Sequence, residues 1–250
     1  MVQMRGAALA AMLAMAAAPA AAATYGDSLL AATARHHREI RRIEIVAATP
    51  DGATLRLAHG GAAGAAPQAD VALRNALGDP IGRVALSLRG PADRARAEAI
   101  AAELSRHIYT IGVLTEPDPF VPGARPSRRG QALVERLLVR HPGLVTLALH
   151  VALPGASNQI VASNFGRIGK PADKDDLHVI ADGAVLKEPT NGGRRLAVEL
   201  PLLDRRGRTI GALSTSFLIG PGGTDGAYAE AIAVRDALAR AIPSLAALAR

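Results

Sequence analysis

The 250-residue chain contains no cysteine and no tryptophan, and aromatic residues make up only 2% of it. Without cysteine there can be no disulfide, cysteine-ligated zinc, iron–sulfur cluster or thiol nucleophile. With so few rings, a nucleic-acid binder that stacks bases on aromatic platforms is not expected. Charge is also modest: 29 Lys and Arg stand against 22 Asp and Glu, a formal net charge of +7. The bases are dispersed, and are densest at Arg35-His36-His37-Arg38 with Arg41-Arg42 and at Arg205-Arg206-Gly207-Arg208. No base-reading element accompanies them, so they read as solvated surface and no nucleic-acid partner is expected. Catalytic motifs are missing too. No Ser lies in G-x-S-x-G, Gly220 to Gly223 lacks the Lys and Ser/Thr of a phosphate loop, and neither H-E-x-x-H nor EF-hand spacing occurs. No catalytic residue, metal ligand set or cofactor is therefore assigned, and the chain is not expected to be an enzyme.

What the chain has is apolar material, 49% hydrophobic against 20% charged residues, enough to fold. Residues 1–23 read as a signal peptide: Arg5 heads an apolar stretch from Gly6 to Ala18, followed by Pro19 and Ala-x-Ala options. Cleavage near Ala22 or Ala23 would leave a mature chain starting near Thr24 in the periplasm. The leader is too short for a spanning helix, and nothing after it approaches 18 uninterrupted apolar residues, so no membrane span is expected after cleavage.

The remainder repeats one order of signals. In residues 24–115 a helix over Ser28–Arg38 precedes strands Arg41–Ala48 and Ala53–His59 around Pro50-Asp51-Gly52. Strands Val71–Leu77 and Ile81–Leu88 then flank Gly78-Asp79-Pro80, and a helix from Pro91 to about His107 closes the unit. Residues 116–126 form a Pro-rich linker. In residues 127–250 a helix over Ser127–Arg140 leads to strands Leu144–Ala152 and Gln159–Asn164. A polar segment from Gly166 to Gly192 follows, then strands Arg195–Leu202 and Thr209–Leu218 and a helix from about Gly226, which Pro243 should stop near Ala241. Period-two alternation carries the strands, as in Leu196, Val198, Leu200 and Leu202. Asp/Gly turns between them favour antiparallel hairpins. The fold class expected is α+β, two tandem modules, each an antiparallel sheet flanked by helices. An Ile-Gly pair opens a strand in both, at Ile81-Gly82 and Ile210-Gly211.

In the second half, Leu144 to Val151, Ile160-Val161-Ala162-Ser163-Asn164, Arg167-Ile168-Gly169-Lys170, Asp173 to Asp176, Val198 to Leu202 and Asp204 to Phe217 together resemble the PAS-like Cache, or PDC, extracellular sensor domains. The resemblance covers about Ser127 to Ala241, and the first half resembles a degenerate sister module. It implies a sensor of a small molecule or ion, with the ligand between the sheet and its variable connection. Family members usually continue into a transmembrane helix and a signalling domain. This chain stops at Arg250, which favours a free periplasmic binding or accessory protein. The Tyr/Arg/Trp signature of amino-acid-binding members has no counterpart here.

The densest polar stretch is Ser163 to His178. Asn164, Arg167 and Lys170 supply donors and positive charge, and a carboxylate or phosphate ligand could be held by a bidentate Arg167 and a Lys170 point charge. The ligand-binding residues assigned are Asn164, Arg167, Lys170, His150 and Asp176, for a small, anionic molecule. A polar connection in which Asp173 caps a helix is the plainer reading of that stretch. Asp173, Asp176, His178 and His150 are also metal-type donors, although a helix starting at Asp173 would turn His178 away from the other two. The competing functions are an envelope protein–protein adaptor without a small-molecule ligand, and a metal-binding protein.

Overall fold

A computed structural model of the chain describes residues 23–61, 67–90 and 93–248; the expected signal peptide lies outside them except for Ala23. The architecture is α+β with two antiparallel sheets. Thr24 caps helix α1 (Tyr25–His36) through a capping box with Asp27. Strands β1 (Ile40–Ala48), β2 (Thr54–Gly60), β3 (Ala69–Arg74) and β4 (Pro80–Leu88) form a four-stranded sheet in the order β2-β1-β4-β3. One face of this sheet is apolar: Ile43, Ile45, Val71, Leu73, Val84 and Leu86 are buried with Leu30 of α1 and with Ile100 and Leu104 of α2 (Arg94–Ser105). The other face carries Arg42, Glu44, Arg56 and Arg83, as period two requires.

A 3₁₀ turn, Ile111–Thr115, leads to the segment 116–126. This stretch is tied down at several points. The Tyr25 amide donates to Glu116 O at 2.8 Å, the Asp118 amide to Ala23 O at 2.9 Å, and the Val121 amide to Ile168 O at 3.4 Å.

Helix α3 (Arg128–Arg140) starts on Ser127, whose hydroxyl accepts from the Gly130 amide. Strands β5 (Leu144–Ala152), β6 (Asn158–Ser163), β7 (Leu186–Thr190), β8 (Arg195–Leu203) and β9 (Thr209–Leu218) form a five-stranded sheet in the order β6-β5-β9-β8-β7. Between β6 and β7 lies α4 (Lys174–Asp182), and after β9 come α5 (Gly223–Ala241) and the short α6 (Leu245–Leu248). Pro243 acts as its sequence predicts, since α5 ends with Ile242 as its C-cap. The inner face of this sheet buries Leu147, Leu149, Val198, Leu200, Leu213 and Phe217 against α3 and α5.

Strand β7 is the one strand that the sequence pattern does not show. Leu-Lys-Glu-Pro-Thr has no apolar alternation, and Pro189 cannot donate to a ladder; its place at the sheet edge is where proline is tolerated. The two Ile-Gly pairs do the same work in both sheets. A Cβ on Gly82 would strike the Val46 carbonyl oxygen, and one on Gly211 would strike the His150 carbonyl oxygen. In each sheet the glycine lets one central strand press against the backbone of the other.

Candidate functional site

The second sheet has a polar face. Because cross-strand partners share a face, the pairs Glu199↔Ser214, Ala148↔Ser214, Ala197↔Ser216 and His150↔Ala212 place Glu199, Ser214, Ser216 and His150 together. These side chains point away from Leu213, Val198 and Leu149, which enter the core. Helix α4 packs over β8 and β9 on this polar side. Its start is fixed by a reciprocal capping box, in which Asp173 accepts from the Asp175 and Asp176 amides while Asp176 accepts from the Asp173 amide. The plainer reading of Asp173 is thus met, and the cap also keeps the exposed Asp173 and the buried Asp176 within 4.8 Å of Glu199 on the sheet.

Beneath the helix Asp176 is 3% exposed and His150 is 5% exposed. His150 Nδ1 stands 3.1 Å from Asp176 Oδ2, yet off the line of a hydrogen bond, so this ring nitrogen has no aligned partner. Asp176 Oδ1 accepts from the Ser214 hydroxyl at 2.8 Å. Carboxylate oxygens of Asp173, Asp176 and Glu199 lie within 4.8 Å of one another, and the buried Glu199 Oε2 has no hydrogen-bond partner. Burial, with the negative charges of Asp176, Asp173 and Asp175, raises the Glu199 carboxyl to about 7. Burial pushes the His150 imidazole below its ordinary value, against the pull of Asp176 and Asp173, and the positive charge of Lys170 adds to the fall. The face therefore presents an imidazole, closely spaced carboxylates and a hydroxyl.

Of the residues assigned from sequence, the structure brings together His150 and Asp176, with a half-buried Lys170 close enough for its charge to bear on His150. Asn164 and Arg167 are engaged elsewhere. Asn164 is 1% exposed. Its Oδ1 accepts from the Leu147 amide at 2.8 Å, and its Nδ2 donates to the carbonyls of Arg106 at 2.7 Å and Val145 at 2.9 Å. Its carbonyl accepts from the Tyr25 hydroxyl at 2.9 Å, so this asparagine is a tie between the two halves of the chain. Arg167 forms a fork with Glu116, Nε to Oε2 at 2.7 Å and Nη2 to Oε1 at 2.6 Å, a pairing that holds the guanidinium firmly charged. His178 turns away to pair with Asp182 at 2.8 Å on the exposed side of α4.

Glu199 is not among the residues assigned from sequence. The signal for Glu199 was present, a charged residue alternating with Val198 and Leu200. Nothing local showed that a helix covers that side.

Two hollows lie away from this cluster. One of about 220 Å³ sits on the outer face of the first sheet, lined by Arg42, Glu44, Arg56 and Arg83. Its arginines are already paired, Arg42 and Arg56 with Glu44 and Arg83 with Asp70. The other, about 160 Å³, is lined by glycines, apolar groups and Glu230, which is paired with His141, beside the start of α5. Neither offers an unpaired buried polar atom among the described residues, whereas the cluster under α4 offers two.

No protein-family model matches the chain, and no curated protein matches it. Among solved structures, the GAF domain of A. aeolicus nlh2 in an inactive state is similar at 14% identity and TM-score 0.35, over 45% of this chain and 83% of that one. The C-terminal domain of the E. coli transcriptional regulator KdgR is similar at 16% identity and TM-score 0.28, over 46% and 97%. The Agrobacterium tumefaciens repressor BlcR is similar at 10% identity and TM-score 0.27, over 59% and 85%. These likenesses are remote, and the chemistry of the site is read from the residues of the chain itself. Among the described residues no helix is long and apolar enough to cross a membrane.

Proposed function

We propose that the protein is an exported, periplasmic, non-enzymatic ligand-binding protein of the sensor type, built as two tandem PAS-like modules. Its ligand sits in the second module, between α4 and the polar face of the sheet. The observation that carries this reading is the pair of unpartnered buried atoms, His150 Nδ1 and Glu199 Oε2, under one helix. Buried polar groups are normally satisfied, and such exceptions gather where something else completes them.

An anionic ligand was the expectation while Arg167 was free to meet it. With that guanidinium on Glu116 and carboxylates facing the seat, the ligand that fits carries a donor or a positive charge. The non-enzymatic part of the reading is supported by the order of the polar residues. Ser214, Asp176 and His150 are the residue types of a hydrolytic triad, but Asp176 stands between the other two. The hydroxyl thus meets a carboxylate where a triad would place the imidazole base. The periplasmic assignment rests on the Arg5-headed leader.

The test is mass spectrometry of small molecules released from the protein purified out of its host, followed by thermal melts with amines, organic acids and nucleotides. A compound that raises Tm in the parent and fails to do so in Glu199→Gln supports the seat. A compound whose effect survives that change, and is abolished instead by altering the first sheet, would refute it.

A further inference from the structure

Asp173, Asp176 and Glu199 converge from two elements, the start of α4 and the middle of β8. Clustered carboxylates alone are common on protein surfaces. Here a second observation joins them: a histidine side chain only 7% exposed aims Nδ1 at the cluster, 3.1 Å from Asp176 Oδ2, without an aligned hydrogen bond. We propose that this cluster binds a divalent transition-metal ion of the Zn²⁺ or Mn²⁺ kind, held by carboxylates of Asp173, Asp176 and Glu199 with the imidazole of His150 as nitrogen donor. This rests on the ligand seat argued above and names its occupant.

One pair of donors already stands at the spacing such an ion needs. Metal–oxygen and metal–nitrogen bonds of about 2.0–2.2 Å put two donors on one ion roughly 3–4 Å apart. His150 Nδ1 and Asp176 Oδ2 already stand at 3.1 Å. The carboxylate oxygens of Asp173, Asp176 and Glu199 lie within 4.8 Å of one another and must close by about 1 Å, with the imidazole approaching from the Asp176 side, to share one ion. Glu199 is free to do this, because no hydrogen bond restrains its Oε2. Asp173 caps the helix through Oδ1 alone, which leaves Oδ2 for a ligand role.

A supporting shell is also in place, since Asp176 is oriented by the Ser214 hydroxyl at 2.8 Å and the Asp173 amide at 3.0 Å. A +2 ion would relieve the crowding of negative charge under α4. Imidazole with carboxylate is a donor set that suits Zn²⁺ or Mn²⁺ better than Mg²⁺ or Ca²⁺, which prefer oxygen throughout. The other grouping of metal-type residues, His36, His37 and Glu103, lacks this feature. Both ring nitrogens of His37 are engaged, with Glu103 at 3.0 Å and Arg96 at 3.1 Å.

The experiment uses the untagged full chain, stripped with a chelator and then titrated separately with ZnCl₂, MnCl₂, MgCl₂ and CaCl₂. Native mass spectrometry gives stoichiometry, calorimetry gives Kd and melting gives Tm. The expected result is one Zn²⁺ or Mn²⁺ per chain, with Tm raised by about 5 °C or more at a hundredfold excess over Kd. Glu199→Gln should weaken Kd at least about tenfold while its circular dichroism stays that of the parent, and His36→Ala should leave Kd unchanged. The proposal is overturned if no ion binds one to one, if Glu199→Gln binds as the parent does, or if only Mg²⁺ or Ca²⁺ binds. An organic compound that saturates the metal-free protein in a Glu199-dependent way would remove the metal and leave the seat standing, so the two readings fail separately.

Discussion

Replacing Asn164 with Ala separates a structural tie from a ligand contact. The side chain is 1% exposed and holds the Leu147 amide, the Arg106 carbonyl and the Val145 carbonyl at 2.7–2.9 Å. Alanine removes the acceptor and the donor of this side-chain amide and leaves the three backbone groups in place. A buried group deprived of its partner is destabilised by about 1–3 kcal/mol. The Leu147 amide loses its contact outright, while each carbonyl keeps a second lone pair, so the sum expected is about 3–5 kcal/mol. For a chain of this size that lowers Tm by roughly 10 °C. Urea denaturation followed by circular dichroism, with the m-value compared between parent and variant, measures it. Asn164→Asp sharpens the case, because it keeps the acceptor for Leu147 but turns a carboxylate oxygen toward two carbonyls; it should be about as destabilising at neutral pH and milder in acid. A loss below about 1 kcal/mol in both variants would refute the reasoning and return Asn164 to the candidates for touching ligand.

Other consequences can be checked in the same way. In metal-free protein the raised Glu199 carboxyl, at about 7, makes the fold hold its proton more tightly than the unfolded chain does. Stability should therefore fall as pH rises from about 4.5 toward 7 and stay low above it. Glu199→Gln should be more stable than the parent above pH 7 by about 1–2 kcal/mol, after discounting for partial exposure, and the gap should close below about pH 5; equal stability at every pH by urea titration would count against the burial described. Gly211→Ala places a Cβ against the His150 carbonyl oxygen and should cost about 2 kcal/mol or more, as should Gly82→Ala against Val46; thermal melts that match the parent would contradict the close approach. A double-mutant cycle of Arg167→Ala and Glu116→Ala, both about a quarter exposed, should show a coupling of about 1–2 kcal/mol, and additive losses would mean that the fork contributes nothing.

The strands were legible where one face is buried. Leu196 to Leu202 alternates because the apolar core lies on one side of β8 only, and β7 was hidden because an edge strand with Pro189 has no such pattern. The start of α4 could be read from Asp173, since capping is local. The roles of Asn164 and Arg167 could not, because a polar residue at a strand end gives one signal for a ligand contact and for a long-range tie. Their partners, Arg106 and Glu116, lie 58 and 51 residues away in sequence. Glu199 escaped for the same reason. Its alternation says that it leaves the core, and only the path of the chain after β6 decides whether it meets water or a helix.

Asp173 and Asp176 serve two ends at once, since the same carboxylates that fasten the first turn of α4 also face His150 and Glu199. If the proposed ion binds there, its occupancy and the fraying of that turn become coupled. Amide hydrogen exchange at Asp175 and Asp176, whose N–H groups Asp173 holds, becomes a gauge of what is bound below, and the exposed side of the helix, with Leu177 at its surface, becomes the place where a neighbour would sense it.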